Sequence, residues 1–334
     1  MKKCYIKVSK GILSAMLAVV FLSAVCLVYS YNMLGVPTVT GASGYSGVPR
    51  SLKSKMEEGF GWNIMDKNGY NNDEAYDHVD VLIMGGSHIE ALQMNRSENV
   101  TNKLDKLLPD YHVYNVGTSG HTVESCANYF DSACSYFNSQ YVVIDLNNLC
   151  LDEEGMTSVV RQTYLEPELL SQKSTLARVV RNYIPASGEI LLQLQNWVNL
   201  AATENVDKGV EQSVYDDPEY IECLRNFLSY MGDIAKEHGT QLILLYHPMN
   251  YNVDGNGNLT FEDETDEWEI FQSFCEENGI VAVSTKDEYI RMFNENHVVP
   301  NGFSNTKLGS GHINKYGHTA MANVLYETIK NLEE

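Results

Sequence analysis

Basic side chains are scarce in this sequence: 23 Lys and Arg stand against 44 Asp and Glu, for a formal net charge of −21. The imbalance is larger beyond Ser30, where 19 of the 23 basic residues and all 44 acidic ones lie. A surface of that sign repels nucleic acid and anionic lipid headgroups, which excludes nucleic acid as a partner. No C-x-x-C pair occurs, and the cysteines beyond Ser30 (Cys126, Cys134, Cys150, Cys223 and Cys275) are odd in number, so buried free thiols are expected instead of a disulfide framework. No histidine pair with a carboxylate of the H-E-x-x-H kind is present, so the nine histidines predict no metal site, and no cofactor is expected. Internal repeats and low-complexity tracts are also missing.

One long apolar run is present. Lys2, Lys3, Lys7 and Lys10 precede Gly11 to Ser30, an uncharged stretch long enough as a helix to cross a hydrocarbon core of about 30 Å. The next basic residue is Arg50, so the lysine excess predicts a cytoplasmic N-terminus at 1–10, a transmembrane anchor at 11–31 and an extracytoplasmic remainder held at the plasma membrane. A cleaved signal peptide ending near Val28 to Ser30 is the competing reading. Residues 32–56, rich in Gly, Ser, Thr and Pro, read as a linker to a domain at 57–334.

Within that domain, apolar runs at 79–84, 111–116, 141–146, 241–246 and 280–284 predict strands buried on both faces. Amphipathic stretches at 123–137, 219–238 and 265–278 predict helices, the last two closed by Gly239 and Gly279. Strands alternating with helices predict an α/β fold: a three-layer α/β/α, doubly wound, flavodoxin-like parallel sheet of five strands. Ligands of such sheets collect at the carboxyl ends of the strands. Residues 151–215 exceed any ordinary connection and read as a helical insertion.

Candidate chemistry clusters at those strand ends. The first strand runs into Gly85-Gly86-Ser87-His88 and then a helix, a seat for a nucleophile but also for a serine that merely caps its helix. "NVGTSGHT", residues 115–122, follows the second strand, and Asn147 and Asn148 follow the third. In "GSGHINKYGH", residues 309–318, Asn314 is placed to cap the last helix, leaving His312 in the preceding loop and His318 within the helix. A serine needs a base, and His312 is the imidazole suited to take its proton, with His318 as competitor.

This order of blocks resembles the SGNH (GDSL-type) hydrolase superfamily over roughly residues 78–146 and 240–330. The resemblance implies Ser87 as nucleophile and His312 as base. It also implies an oxyanion hole made by the N–H groups of Ser87 and Gly120 and the side chain of Asn147 or Asn148. The family usually places Asp two or three residues before the histidine, where this chain has Ser310 and Gly309. Ser310 or Asp145 is then expected to orient His312, and His88, His121 and His247 to shape the pocket, His247 at its rim.

With its anchor and insertion, the chain is similar to membrane-anchored envelope proteins that move acyl groups onto polysaccharides. That likeness implies an O-acyltransferase or esterase acting on acyl, above all acetyl, esters of a cell-envelope glycan, and a polytopic membrane acyltransferase as partner. The alternative is a non-catalytic glycan-binding or assembly subunit that lost its acid. Arg161, Arg178 and Arg181 in the insertion read first as solvated helix faces. "NYNVDGNGNLTF", residues 250–261, imitates a calcium loop but ends in Phe261 where a bidentate Glu is required, so a Gly-Asn turn between extended arms is expected.

Overall fold

The computed structural model describes residues 58–76, 78–159, 213–261 and 265–334, the backbone of 52–55, and eight residues between 11 and 21. The chain divides into two compact units, one of Met1–Ser43 with Pro167–Glu211, the other of Gly44–Glu166 with Gln212–Glu334. In the first unit the eight described residues are helical and exposed, Leu13, Met16, Leu17, Val20 and Phe21 among them. Among the described residues no helix is long and apolar enough to cross a membrane, and most of the expected span at 11–31 lies outside them. Most of the expected insertion, with Arg161, Arg178 and Arg181, also lies outside the described residues.

The second unit opens with β1 (Leu52–Lys55) and β2 (Gly61–Ile64), which pair antiparallel. The stretch read as a linker therefore ends in a strand. Next come β3 (Val81–Met84), α1 (Ser87–Glu90), α2 (Val100–Leu107), β4 (Val113–Asn115), α3 (Val123–Phe137), β5 (Tyr141–Leu146) and α4 (Glu153–Thr157). Beyond the insertion are α5 (Pro218–His238), β6 (Gln241–Tyr246), β7 (Tyr251–Val253), β8 (Leu259–Phe261), α6 (Thr265–Glu277), β9 (Val281–Ser284), α7 (Lys286–Asn296) and α8 (Lys315–Glu333).

Five strands form one parallel sheet in the order β4-β3-β5-β6-β9, the doubly wound arrangement expected from the alternation of strands and helices. Alternate side chains feed opposite layers. Leu82, Met84, Val142, Ile144, Leu242 and Leu244 pack with Phe130 of α3, Leu224 and Phe227 of α5 and Phe271 of α6. Val81, Ile83, Val143, Ile243 and Leu245 pack with Val100 and Leu104 of α2 and Met321, Leu325 and Ile329 of α8. Each such side chain, fully buried, contributes roughly 1.5–3 kcal/mol.

The helices begin and end where their caps dictate. Thr122 accepts from Ser125 N–H at the start of α3, and Asp217 accepts from Glu219 N–H with Pro218 at the first helical position of α5. At residues 250–261 the turn reading holds: Asp254 accepts from the N–H groups of Asn256 (2.9 Å) and Asn258 (2.8 Å), closing the β7–β8 hairpin. The carboxylate that imitates a calcium ligand serves that turn, and its bonds to Asn258 hold it below the usual carboxylate range. Cys126, Cys134 and Cys275 are buried free thiols, as expected, while Cys150 is exposed and Cys223 half-buried.

Candidate active site

β3 and β5 end side by side in the middle of the sheet, and the turn after β3 carries Ser87. Gly86, not Ser87, is the N-cap of α1: its carbonyl accepts from Ile89 N–H (3.1 Å) and Glu90 N–H (3.0 Å). A Cβ on Gly86 would lie 2.6 Å from the carbonyl oxygen of His121, so only glycine lets the two turns meet. Relieved of capping, Ser87 Oγ lies 2.8 Å from His312 Nε2.

The other face of that imidazole has a partner the sequence did not announce. Glu58 binds His312 Nδ1 through one carboxylate oxygen, and its other oxygen accepts from His312 N–H at 2.5 Å. Ser310 is exposed and Asp145 turns elsewhere, so neither orients His312. The acid comes from the segment between β1 and β2, 254 residues before its histidine. Local packing explains how it arrives. Gly59 N–H donates to Asn305 Oδ1 (2.8 Å), and Gly311, at φ +81°, leaves the space that the Glu58 carboxylate fills. The one local sign is Glu58-Gly59-Phe60-Gly61, a carboxylate beside two glycines at the start of the folded part.

His312 is held in its loop as expected: Asn314 Oδ1 accepts from Tyr316 N–H (2.8 Å) and Gly317 N–H (3.4 Å) at the start of α8, and its Nδ2 donates to Val299 O and Gly302 O. The competitor His318 lies inside α8, where its Nδ1 accepts from Val100 N–H (3.1 Å) at the start of α2.

Ser87 opens into a pocket of about 380 Å³ whose wall includes Gly120, His121, Asn147 and Asn148, so all the expected oxyanion donors border the same space. Two residues to which the sequence assigned no role set this wall. Asn115, fully buried, donates from Nδ2 to Ile89 O (2.6 Å) and accepts at Oδ1 from Gly117 N–H (2.7 Å), fastening the Gly117–Gly120 turn to α1. Glu90 accepts from both N–H (3.0 Å) and Oγ of Ser119. Asn148 Oδ1 accepts from Cys150 N–H (2.9 Å).

The pocket histidines divide. His88 and His121 border the cavity, His121 stacking on Tyr129. His247 does not reach the rim; it is fully buried. Its N–H donates to Leu146 O (2.9 Å), extending the β5–β6 ladder, and the side chain lies beneath His88 with ring centroids 4.9 Å apart. Asp145 Oδ1 approaches His247 Nδ1 to 2.6 Å, at an angle that makes no hydrogen bond. Burial, aided by His247 and His312, pushes the His88 pKa down to about 2, so its ring is neutral. Among the described residues no group of three or more His, Cys, Asp or Glu is arranged to hold a metal ion.

No protein-family model matches the chain, and no curated protein matches it. Solved structures with a similar chain path include the psychrotrophic esterase EstA from Pseudoalteromonas sp. (12% identity, 76% of this chain and 97% of that one, TM-score 0.40). The acetyl xylan esterase AlAXEase is similar over 75% of this chain and 100% of its own, at 9% identity and TM-score 0.41. The Clostridium thermocellum family 3 carbohydrate esterase is similar over 77% and 98%, at 11% identity and TM-score 0.38. None of these likenesses carries the reading of the site, which rests on its own geometry.

Proposed function

We propose that this protein is a membrane-tethered, extracytoplasmic serine O-acyltransferase or esterase of the SGNH type, acting on acyl, above all acetyl, esters of a cell-envelope polysaccharide. The observation that carries the reading is the line Ser87 Oγ, His312 Nε2, His312 Nδ1, Glu58 carboxylate. In it, Ser87 Oγ attacks the ester carbonyl while its proton passes to His312 Nε2. Glu58 holds the Nδ1–H tautomer and stabilises the imidazolium that forms. The oxyanion meets Ser87 N–H, Gly120 N–H and the carboxamide of Asn147 or Asn148.

His312 then returns its proton to the leaving sugar oxygen, and a second hydroxyl resolves the acyl-enzyme by the reverse path. Water as that hydroxyl gives hydrolysis, a sugar gives transfer. A polytopic acyltransferase supplying acyl groups across the membrane is the partner this reading calls for. The alternative is a non-catalytic glycan-binding or assembly subunit lacking the acid, and the Glu58 carboxylate on His312 Nδ1 favours the catalytic reading over it.

The test is a fluorophosphonate probe applied to the full-length protein in detergent. Labelling of wild type, with at least a hundredfold loss in Ser87→Ala and in His312→Ala, is the expected result. A folded wild-type protein that takes no label sinks the proposal.

A further inference from the structure

Consecutive residues of two distant segments are paired here. Ser87 meets His312, and the next residue on each side meets as well: Ile313 N–H donates to His88 Nδ1 at 3.3 Å. A nitrogen that accepts carries no proton in the neutral ring, so the proton of His88 sits on Nε2. No described residue accepts from that Nε2–H, and His88 borders the pocket. The ring cannot swing away, because it lies between the His247 ring at 4.9 Å and the His312 ring at 5.0 Å. A neutral donor of fixed direction therefore faces the cavity one residue after the nucleophile, on the side of His312. Of the oxyanion donors, Gly120 N–H and the carboxamide of Asn147 or Asn148 come from the other turns, and Ser87 N–H from the residue before His88. The side of His312 is where a leaving or accepting alcohol stands while its proton is transferred.

We propose that His88 Nε2–H donates a hydrogen bond to a hydroxyl neighbouring the esterified carbon of a sugar, making His88 the residue that selects polyhydroxyl alcohols over simple ones. The inference rests on Ser87 and His312 acting as nucleophile and base. His312 itself handles the proton of the reacting oxygen, so the donor beside it serves the next oxygen along the ring. A site built to bond a hydroxyl discriminates strongly against an alcohol that lacks it, because the donor is then left unpaired.

Two substitutions separate the nitrogens. In His88→Asn the carboxamide oxygen replaces Nδ1 and keeps the tie to Ile313, while the outer donor is gone. In His88→Gln the amide nitrogen replaces Nε2 and the tie is gone. The readout is the ratio of kcat/KM for a monoacetylated methyl glucoside to that for p-nitrophenyl acetate, whose leaving group has no neighbouring hydroxyl, measured on the full-length chain. A fall of about tenfold or more in the ratio for His88→Asn, with His88→Gln within about threefold of wild type, is expected. A ratio preserved in His88→Asn overturns the proposal, as does a ratio lost only in His88→Gln, which reduces His88 to a tie for the His312 loop. Failure of wild type to turn over either ester is a different result and removes the serine-esterase reading itself.

Discussion

Glu58 shows what a single residue can hide. Ser87 and His312 are legible in the sequence because each sits in a local pattern, Gly-Gly-Ser-His after an apolar run and a histidine just before a helix cap. Glu58 is marked only by the glycines at 59 and 61, since its partner is 254 residues away and its seat is made by Gly311 and by the Gly59 to Asn305 bond. A long-range pairing of that kind leaves no periodicity to read. Its role gives a quantitative expectation. Glu58→Gln keeps the size but loses the charge that favours the right tautomer and the imidazolium, so kcat for p-nitrophenyl acetate falls by about 10³–10⁴ with KM little changed. Gly311→Ala, which puts a methyl group where the carboxylate lies and sets Ala at a positive φ, produces a comparable loss with Glu58 intact. Activity within threefold of wild type in Glu58→Gln removes the acid from the mechanism.

At the scale of elements, the strongly periodic helices at 123–137, 219–238 and 265–278 were readable nearly to the residue, and the first two have their capping residues, Thr122 and Asp217, directly before them in the sequence. How elements dock was not. The join between α2 and α8 depends on His318, fully buried, whose Nδ1 accepts from Val100 N–H. Burial above all, with smaller contributions from His247 and Lys103, lowers its pKa to about 3. In the unfolded chain it titrates near 6.5. Between those values the unfolded state binds the extra proton, so this residue's contribution is complete above pH 6.5 and is lost as pH falls toward 3. The loss is up to about 1.4 kcal/mol per pH unit. His318→Asn preserves an acceptor for Val100 N–H and removes the titration. Urea unfolding at pH 7.5, 6 and 4.5 is expected to show wild type ahead at neutral pH and its lead shrinking by about 2 kcal/mol between pH 6 and 4.5. A lead that stays constant across that range refutes the assignment.

At the scale of the whole molecule, charge works against the proposed tether. The chain beyond Ser30 carries 44 acidic against 19 basic residues, and a domain of that sign is pushed away from anionic headgroups. If the protein works at a membrane, the apolar stretch of residues 11–31 must hold it there, since surface attraction works against it. The described part of that stretch exposes Leu13, Met16, Leu17, Val20 and Phe21, side chains suited to lipid contact. Electrostatic binding is released by salt, whereas burial of some twenty apolar residues is not. The full-length protein is therefore expected to stay in the membrane fraction through 1 M salt and alkaline carbonate, and a chain lacking residues 1–31 to appear in the soluble fraction. The place of the cut matters to the chemistry as well. β1 begins at Leu52 and Glu58 follows within a few residues, so the soluble form keeps its acid only if the cut stays ahead of β1. A chain beginning at residue 32 should hydrolyse p-nitrophenyl acetate at the full-length rate, and release of the full-length protein by salt alone would show that residues 11–31 do not anchor it.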